Sequence, residues 1–171
     1  MCTLTLLASG PSSATTDRVM RLVDRQVIDF NRMVAETGSA RFIFIAEIHN
    51  EARHHSAQLE LIRGVHASGR PLAIGLEMFT VESQEKLDQW VSGKLSLEQF
   101  KEVYRNDWGM PWEHYQEILT YARDNRIRLY GLNLPKAISS KVAREGFAAL
   151  TPTERRLLPP EITCDVSPGY M

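Results

Sequence analysis

Two short apolar runs on either side of an amphipathic stretch limit what this chain can fold into more than any other feature. Phe42-Ile-Phe-Ile-Ala46 and Leu72-Ala-Ile-Gly-Leu76 are continuous apolar segments, the first rich in β-branched and aromatic residues. Runs of this kind suit strands covered on both faces, as in parallel sheets. Between them, residues 51–67 carry Leu59, Leu61, Ile62 and Val65 at helical spacing, and Gly69-Arg70-Pro71 ends the pattern. Strand, helix and strand form a βαβ unit, whose right-handed crossover leaves the strands parallel. Ile127-Arg-Leu-Tyr-Gly-Leu132 supplies a third strand. The expected fold is α/β, a mostly parallel sheet with flanking helices, in which 42–46, 72–76 and 127–132 are neighbouring parallel strands.

The remaining segments carry helix signals. Asp29 precedes Phe30-Asn-Arg-Met-Val-Ala-Glu36 as an N-cap, with Gly38 just beyond. Residues 83–100 read as two helices split at Ser92-Gly93, the second opened by the capping box Ser96-Leu-Glu-Gln99. Pro111, with Glu113 in the first turn, starts a longer helix to Arg126. A last helix opens at Thr151-Pro-Thr-Glu154 and stops at Pro159-Pro160. Residues 1–17, Ser/Thr-rich from Pro11 onward, read as a flexible lead-in, and 18–171 as a single α/β domain.

Composition removes several classes of function. With 20 Lys+Arg against 21 Asp+Glu, the formal net charge is -1, and no basic stripe exists to neutralise a nucleic-acid backbone. No apolar run approaches the roughly 18 residues a membrane helix needs. Cys2 and Cys164 stand far apart, in neither a CxxC pair nor a zinc-ligand spacing. Neither a Gly-x-Ser-x-Gly elbow nor a phosphate loop is present, which disfavours serine hydrolases and nucleotide enzymes.

In a parallel sheet, ligands gather outside the carboxyl ends of the strands. Those ends carry Glu47 and His49, then Glu77, then Asn133. Glu47 and His49 lie two apart and point to the same side if the strand conformation persists. His54 and His55 open the following helix on the flanks of its apolar stripe. Carboxylates and imidazoles in this number suit a divalent metal or acid/base work. One reading is therefore a hydrolase in which His49, or a water activated by a metal, serves as base while Glu47 and Glu77 orient it. Trp90, Trp108, Trp112 and Tyr115 form an aromatic segment that is either core or the border of an apolar ligand pocket, and a tyrosinate such as Tyr115 can ligate haem iron.

Taken together, Ala46-Glu47-Ile48-His49, His54-His55-x-x-Gln58, Gly75-Leu-Glu-Met-Phe79, Trp108-x-x-x-Trp112-x-x-Tyr115 and Gly131-Leu-Asn-Leu-Pro135 resemble the ChaN-like family of bacterial haem-binding, iron-regulated lipoproteins. The resemblance spans roughly residues 20–160. The wider superfamily includes erythromycin esterases and Tiki-type proteases, which share a Gly-Glu-x-His motif in which Ala46 here replaces the glycine. The resemblance implies a ChaN/erythromycin-esterase-like fold and a haem-binding protein, rather than an enzyme, in bacterial iron or haem acquisition. It further implies a homodimer enclosing haem, with a tyrosine on the iron. Tyr115 is the residue assigned to that role, with Tyr170 and Tyr104 next in line. His49, His54, His55 and Arg53 are the remaining haem-binding candidates, the last three for the propionates. A lipid anchor in the native precursor and a place in the cell envelope, periplasm or outer membrane, also follow from the resemblance, with the cytoplasm as the alternative. Family members continue beyond Met171, so a C-terminally truncated domain is expected.

Overall fold

A computed structural model describes residues 19–161 of the chain. The lead-in expected at 1–17, Cys2, Cys164 and Tyr170 lie outside the described residues. The described chain opens with an antiparallel hairpin that the sequence had not suggested, β1 (Val19–Arg21) and β2 (Gln26–Ile28), turned through Arg25 at φ 57°. Helix α1 (Phe30–Glu36) follows, capped as expected by the Asp29 side chain, which accepts from the Arg32 N–H. Helix α2 (Ala52–Ala67) ends at Ser68, and Gly69 takes φ +75°, the left-handed conformation that a helix stop favours.

The sheet centres on β3 (Ala73–Thr80), paired in parallel with β4 (Arg128–Asn133). Between them run α3 (Gln84–Val91), α4 (Leu97–Asp107) and α5 (Gln116–Asp124), a right-handed arrangement being the one that parallel strands favour. Helices α6 (Lys136–Glu145) and α7 (Pro152–Arg155) complete the described chain. The capping boxes at Ser96/Gln99 and Thr151/Glu154 both form. The long helix expected from Pro111 is instead a 3-10 turn at Trp112–His114 followed by α5, with Tyr115 at the junction.

Register explains which sheet face is filled. Ile74 pairs with Leu129 and Leu76 with Gly131, and these positions, with Met78, point into the core. Gly131 is required there, because a Cβ at that position would collide with the Thr80 carbonyl. Phe79, Leu87, Trp90, Phe100, Tyr104, Leu119 and Leu129 are fully buried. Trp90 and Phe100 stack at 4.2 Å, and the Trp90 indole N–H donates to the Leu119 carbonyl at 3.0 Å. The opposite face, with Ala73, Gly75, Glu77, Arg128, Tyr130 and Leu132, is exposed among the described residues.

One expectation fails. Residues 42–46 pair with no strand among the described residues, and Phe42 and Phe44 are 75% and 93% exposed. A buried parallel strand is stable only when neighbours satisfy its backbone and layers cover both faces, and neither condition is met here. The second and third expected strands are neighbours and parallel. The second runs on to Thr80, which places Glu77 inside the strand rather than after it.

Candidate functional site

The site is built around one carboxylate. Glu47 lies in the irregular segment leading to α2, with its side chain largely enclosed. His49 Nδ1 donates to Glu47 Oε1 at 2.6 Å, Gln58 Nε2 donates to Oε2 at 2.8 Å, and the Tyr115 hydroxyl donates to Oε1. Gln58 comes from α2 and Tyr115 from the start of α5, so three parts of the chain fasten the same group. Burial pushes the Glu47 carboxyl up, but the hydrogen bonds from Tyr115, His49 and Gln58 outweigh it and hold the group below its ordinary value. Glu47 is thus kept as an acceptor.

The histidines gather at this point. His55 is buried on α2, its Nε2 3.4 Å from Glu47 Oε2 and without a hydrogen-bond partner. Burial pushes the His55 ring below the usual histidine value, opposed by Glu47 and reinforced by His114, His54 and His49. His54 Nδ1 accepts the Ile48 N–H at 2.9 Å, and His114 Nδ1 donates to the His49 carbonyl at 2.9 Å, so both hold the backbone that carries Glu47 and His49. The buried Trp108 indole N–H also lacks a partner, and its ring meets His49 edge-on at 5.1 Å.

The cluster is open at His49 and Glu77. The His49 side chain is 41% exposed, and its Nε2 faces Glu77 Oε1 at 3.6 Å, whose own side chain is 60% exposed. Ligand atoms of Glu47, His49 and Glu77 all lie within 4.8 Å of one another, a grouping able to hold a divalent cation. Asn133, at the end of β4, donates its side-chain amide to the Glu77 carbonyl. Strand-end reasoning thus located residues that the fold does bring together. Glu77 gets there for a different reason, by lying within β3 on the bare sheet face rather than just after the strand.

Other candidates fall elsewhere. Tyr115 is 1% exposed, and burial, followed by its bond to Glu47, drives its hydroxyl well above the ordinary tyrosine range. Tyr104 is buried and donates to the Pro111 carbonyl at 3.2 Å. Trp90 and Trp112 are core, so the apolar pocket expected beside Trp112 and Tyr115 is filled by protein. Arg53 is exposed and ion-paired with Glu51 at 3.2 Å. A concavity of about 300 Å³ beside Arg70 and another beside Arg123 contain none of the site residues. Gln58 enters the sequence reading only as a motif member; its i, i+3 spacing from His55 is the available signal that the two share a helix face.

The chain belongs to the family described as haem-binding uptake, Tiki superfamily, ChaN, whose profile matches residues 33–171. Among solved structures it is similar to ChaN of Campylobacter jejuni, described as showing cofacial haem binding, with a TM-score of 0.62 at 20% identity over 71% of this chain and 50% of that one. Among curated proteins it is similar to the chloroplastic Protein RETICULATA-RELATED 5 of Arabidopsis thaliana, 28% identical over 139 residues. That match takes in 77% of this chain but 19% of the plant protein, so the chain spans half or less of the relatives it matches.

Proposed function

We propose that this protein binds haem at the open edge formed by Ile48, His49 and Glu77. The observation that supports this most is that residues from separate family motifs, Glu47, His49, His55, Gln58 and Tyr115, converge within hydrogen-bonding or ion-pairing distance, with one imidazole turned to the open side. The donor set fits the group. Haem needs an accessible ligand for iron and apolar surface for the ring, and His49 stands beside the exposed Ile48. When bound, haem would supply the redox-active or transported iron. The chain's own residues would orient the His49 imidazole at that edge and keep Glu47 ionised behind it. The same reading extends to iron or haem acquisition at a bacterial envelope, by a lipid-anchored homodimer, on the strength of the motif resemblance. Hemin titrated into the purified protein should give a saturable absorption change; a linear, non-saturating response would contradict the proposal.

A second reading rests on the 4.8 Å grouping of Glu47, His49 and Glu77. These residues could hold a divalent cation with open positions, as metal-dependent hydrolases require. Calorimetric titration with Zn²⁺ or Mn²⁺ should then show about one site, which Glu77→Gln weakens by at least tenfold. An unaltered isotherm in that variant would reject this reading.

A further inference from the structure

We propose that the tip of the β1–β2 hairpin, Leu22 and Val23 with Met20 and Val27 behind them, docks on the surface of an anionic phospholipid membrane. The contact uses no residue of the candidate site and is independent of the haem reading. It starts from the turn. The residues joining β1 to β2 are Leu22, Val23, Asp24 and Arg25, and the two aliphatic ones are 82% and 88% exposed. Tight turns draw on Gly, Asn, Asp, Pro and Ser, which supply positive φ, a preset φ or a side-chain bond to the backbone. Leu and Val supply none of these, and at such exposure they add nothing to the core.

The strands extend the patch. Met20 pairs with Val27 across the hairpin, and both are about half exposed, whereas Ile28 in the neighbouring pair with Val19 is buried. Side chains alternate along a strand, so one face of the hairpin packs on the body through Ile28 and the other carries Met20 and Val27 outward behind the tip.

The charges suit a phosphate surface. Asp24, the acid of the turn, is gripped by Arg21, whose Nε donates to its two oxygens at 3.0 and 3.1 Å, and it also accepts the Gln26 N–H at 3.2 Å. Arg21 reaches Glu36 as well, which Arg32 shares at 3.1 Å. Arg25 is exposed, stands at φ 57° and has no hydrogen bond or ion pair among the described residues. The acid of the turn is thus neutralised while an unpaired guanidinium stands beside the two aliphatic side chains. An arginine so placed can lay its stem on apolar surface and present its head to lipid phosphates.

Shape and size favour lipid over a protein partner. Four aliphatic side chains at a convex hairpin end fall well short of the roughly 20–30 residues that each side of a stable protein interface gathers. The concavities beside Arg70 and Arg123 include no hairpin residue. A membrane surface needs no matching contour: it takes up apolar side chains below its headgroups, and binding grows with the apolar area buried and with attraction to anionic lipid.

The test is flotation of the full chain with vesicles of phosphatidylglycerol and phosphatidylcholine in equal parts, and with phosphatidylcholine alone. The proteins compared are wild type, the double variant Leu22→Ser/Val23→Ser, Arg25→Asn and Phe44→Ser. Asn is chosen at position 25 because it tolerates the left-handed backbone there. Wild type should bind the anionic vesicles at least tenfold more tightly than the double variant does, and more tightly than it binds phosphatidylcholine. Arg25→Asn should bind severalfold more weakly and with a shallower salt dependence. Phe44→Ser, which removes an exposed apolar side chain outside the hairpin, should float like wild type. Urea unfolding midpoints matching wild type show that the variants are folded, since the substituted side chains are exposed. Wild type that stays in the soluble fraction, or equal flotation of wild type and the double variant, would overturn the proposal, as would a loss in Phe44→Ser as large as in the double variant. Self-association of lipid-free wild type in sedimentation velocity, abolished in the double variant and unaccompanied by flotation, would make a second copy the occupant and overturn the lipid assignment.

Discussion

At the residue scale, Tyr115 shows how a side chain can be central to a site without facing it. Its hydroxyl satisfies one oxygen of a largely enclosed carboxylate, so removing it leaves Glu47 with two donors where it had three. Tyr115→Phe should therefore cost about 1–3 kcal/mol of stability, the cost of leaving a buried polar group short of a partner. Urea unfolding of the two proteins measures this; equal midpoints would mean that the hydroxyl contributes nothing. Sequence reading reached Glu47, His49 and Glu77 because the ends of parallel strands are where polar groups converge, and the second strand was real. It left Tyr115 open between core and pocket border, since spacing along a helix cannot distinguish a hydroxyl aimed into a polar core from one bordering a pocket. Glu77 is expected at the end of the second strand, whereas the strand continues past it and turns it to the bare face.

At the element scale, the best-read features were the caps. Asp29, Ser96 and Thr151 cap the helices they were expected to cap, because a side-chain oxygen three residues before a free N–H is a local matter. The Thr151 box carries a pH consequence. The Glu154 carboxylate accepts from the Thr151 backbone N–H and from Lys141, while its own backbone N–H donates to the Thr151 hydroxyl, and these bonds hold its carboxyl at about 2 against an ordinary 4.5. A carboxyl lowered in the fold stabilises it fully above the unfolded value, and that contribution is lost as pH falls from 4.5 toward 2. Glu154→Gln should accordingly show a shallower loss of melting temperature across that interval, and an identical acid limb would contradict the cap's role. The β3–β4 contact makes a sharper demand. Gly131→Ala should cost about 3 kcal/mol or more, since the new methyl meets backbone rather than a yielding side chain. Gly38→Ala, where nothing lies within 4 Å, should be close to neutral, and chemical denaturation of the pair checks both.

At the scale of the whole molecule, the fold is an α/β unit with one sheet face packed and the other bare among the described residues. The class was legible because apolar runs, an intervening helix and a parallel crossover imply one another. The state of 42–46 was not legible: a continuous apolar run signals burial only if something covers it, and coverage is a property of the assembled layers. Phe44→Ser should therefore change stability by less than about 0.5 kcal/mol, as exposed substitutions do, whereas Phe79→Ala should cost about 3–5 kcal/mol. A large loss in Phe44→Ser would mean that the run is packed in solution. The central claim, that haem is held at the Ile48–His49 edge, is tested most directly by nitrogen NMR of the histidine rings during titration with zinc protoporphyrin, a diamagnetic stand-in for haem. The predicted result is a saturable shift of the His49 Nε2 resonance, with His66, on the far part of α2 against Tyr121, unchanged. Porphyrin binding that leaves the His49 ring unmoved would contradict it.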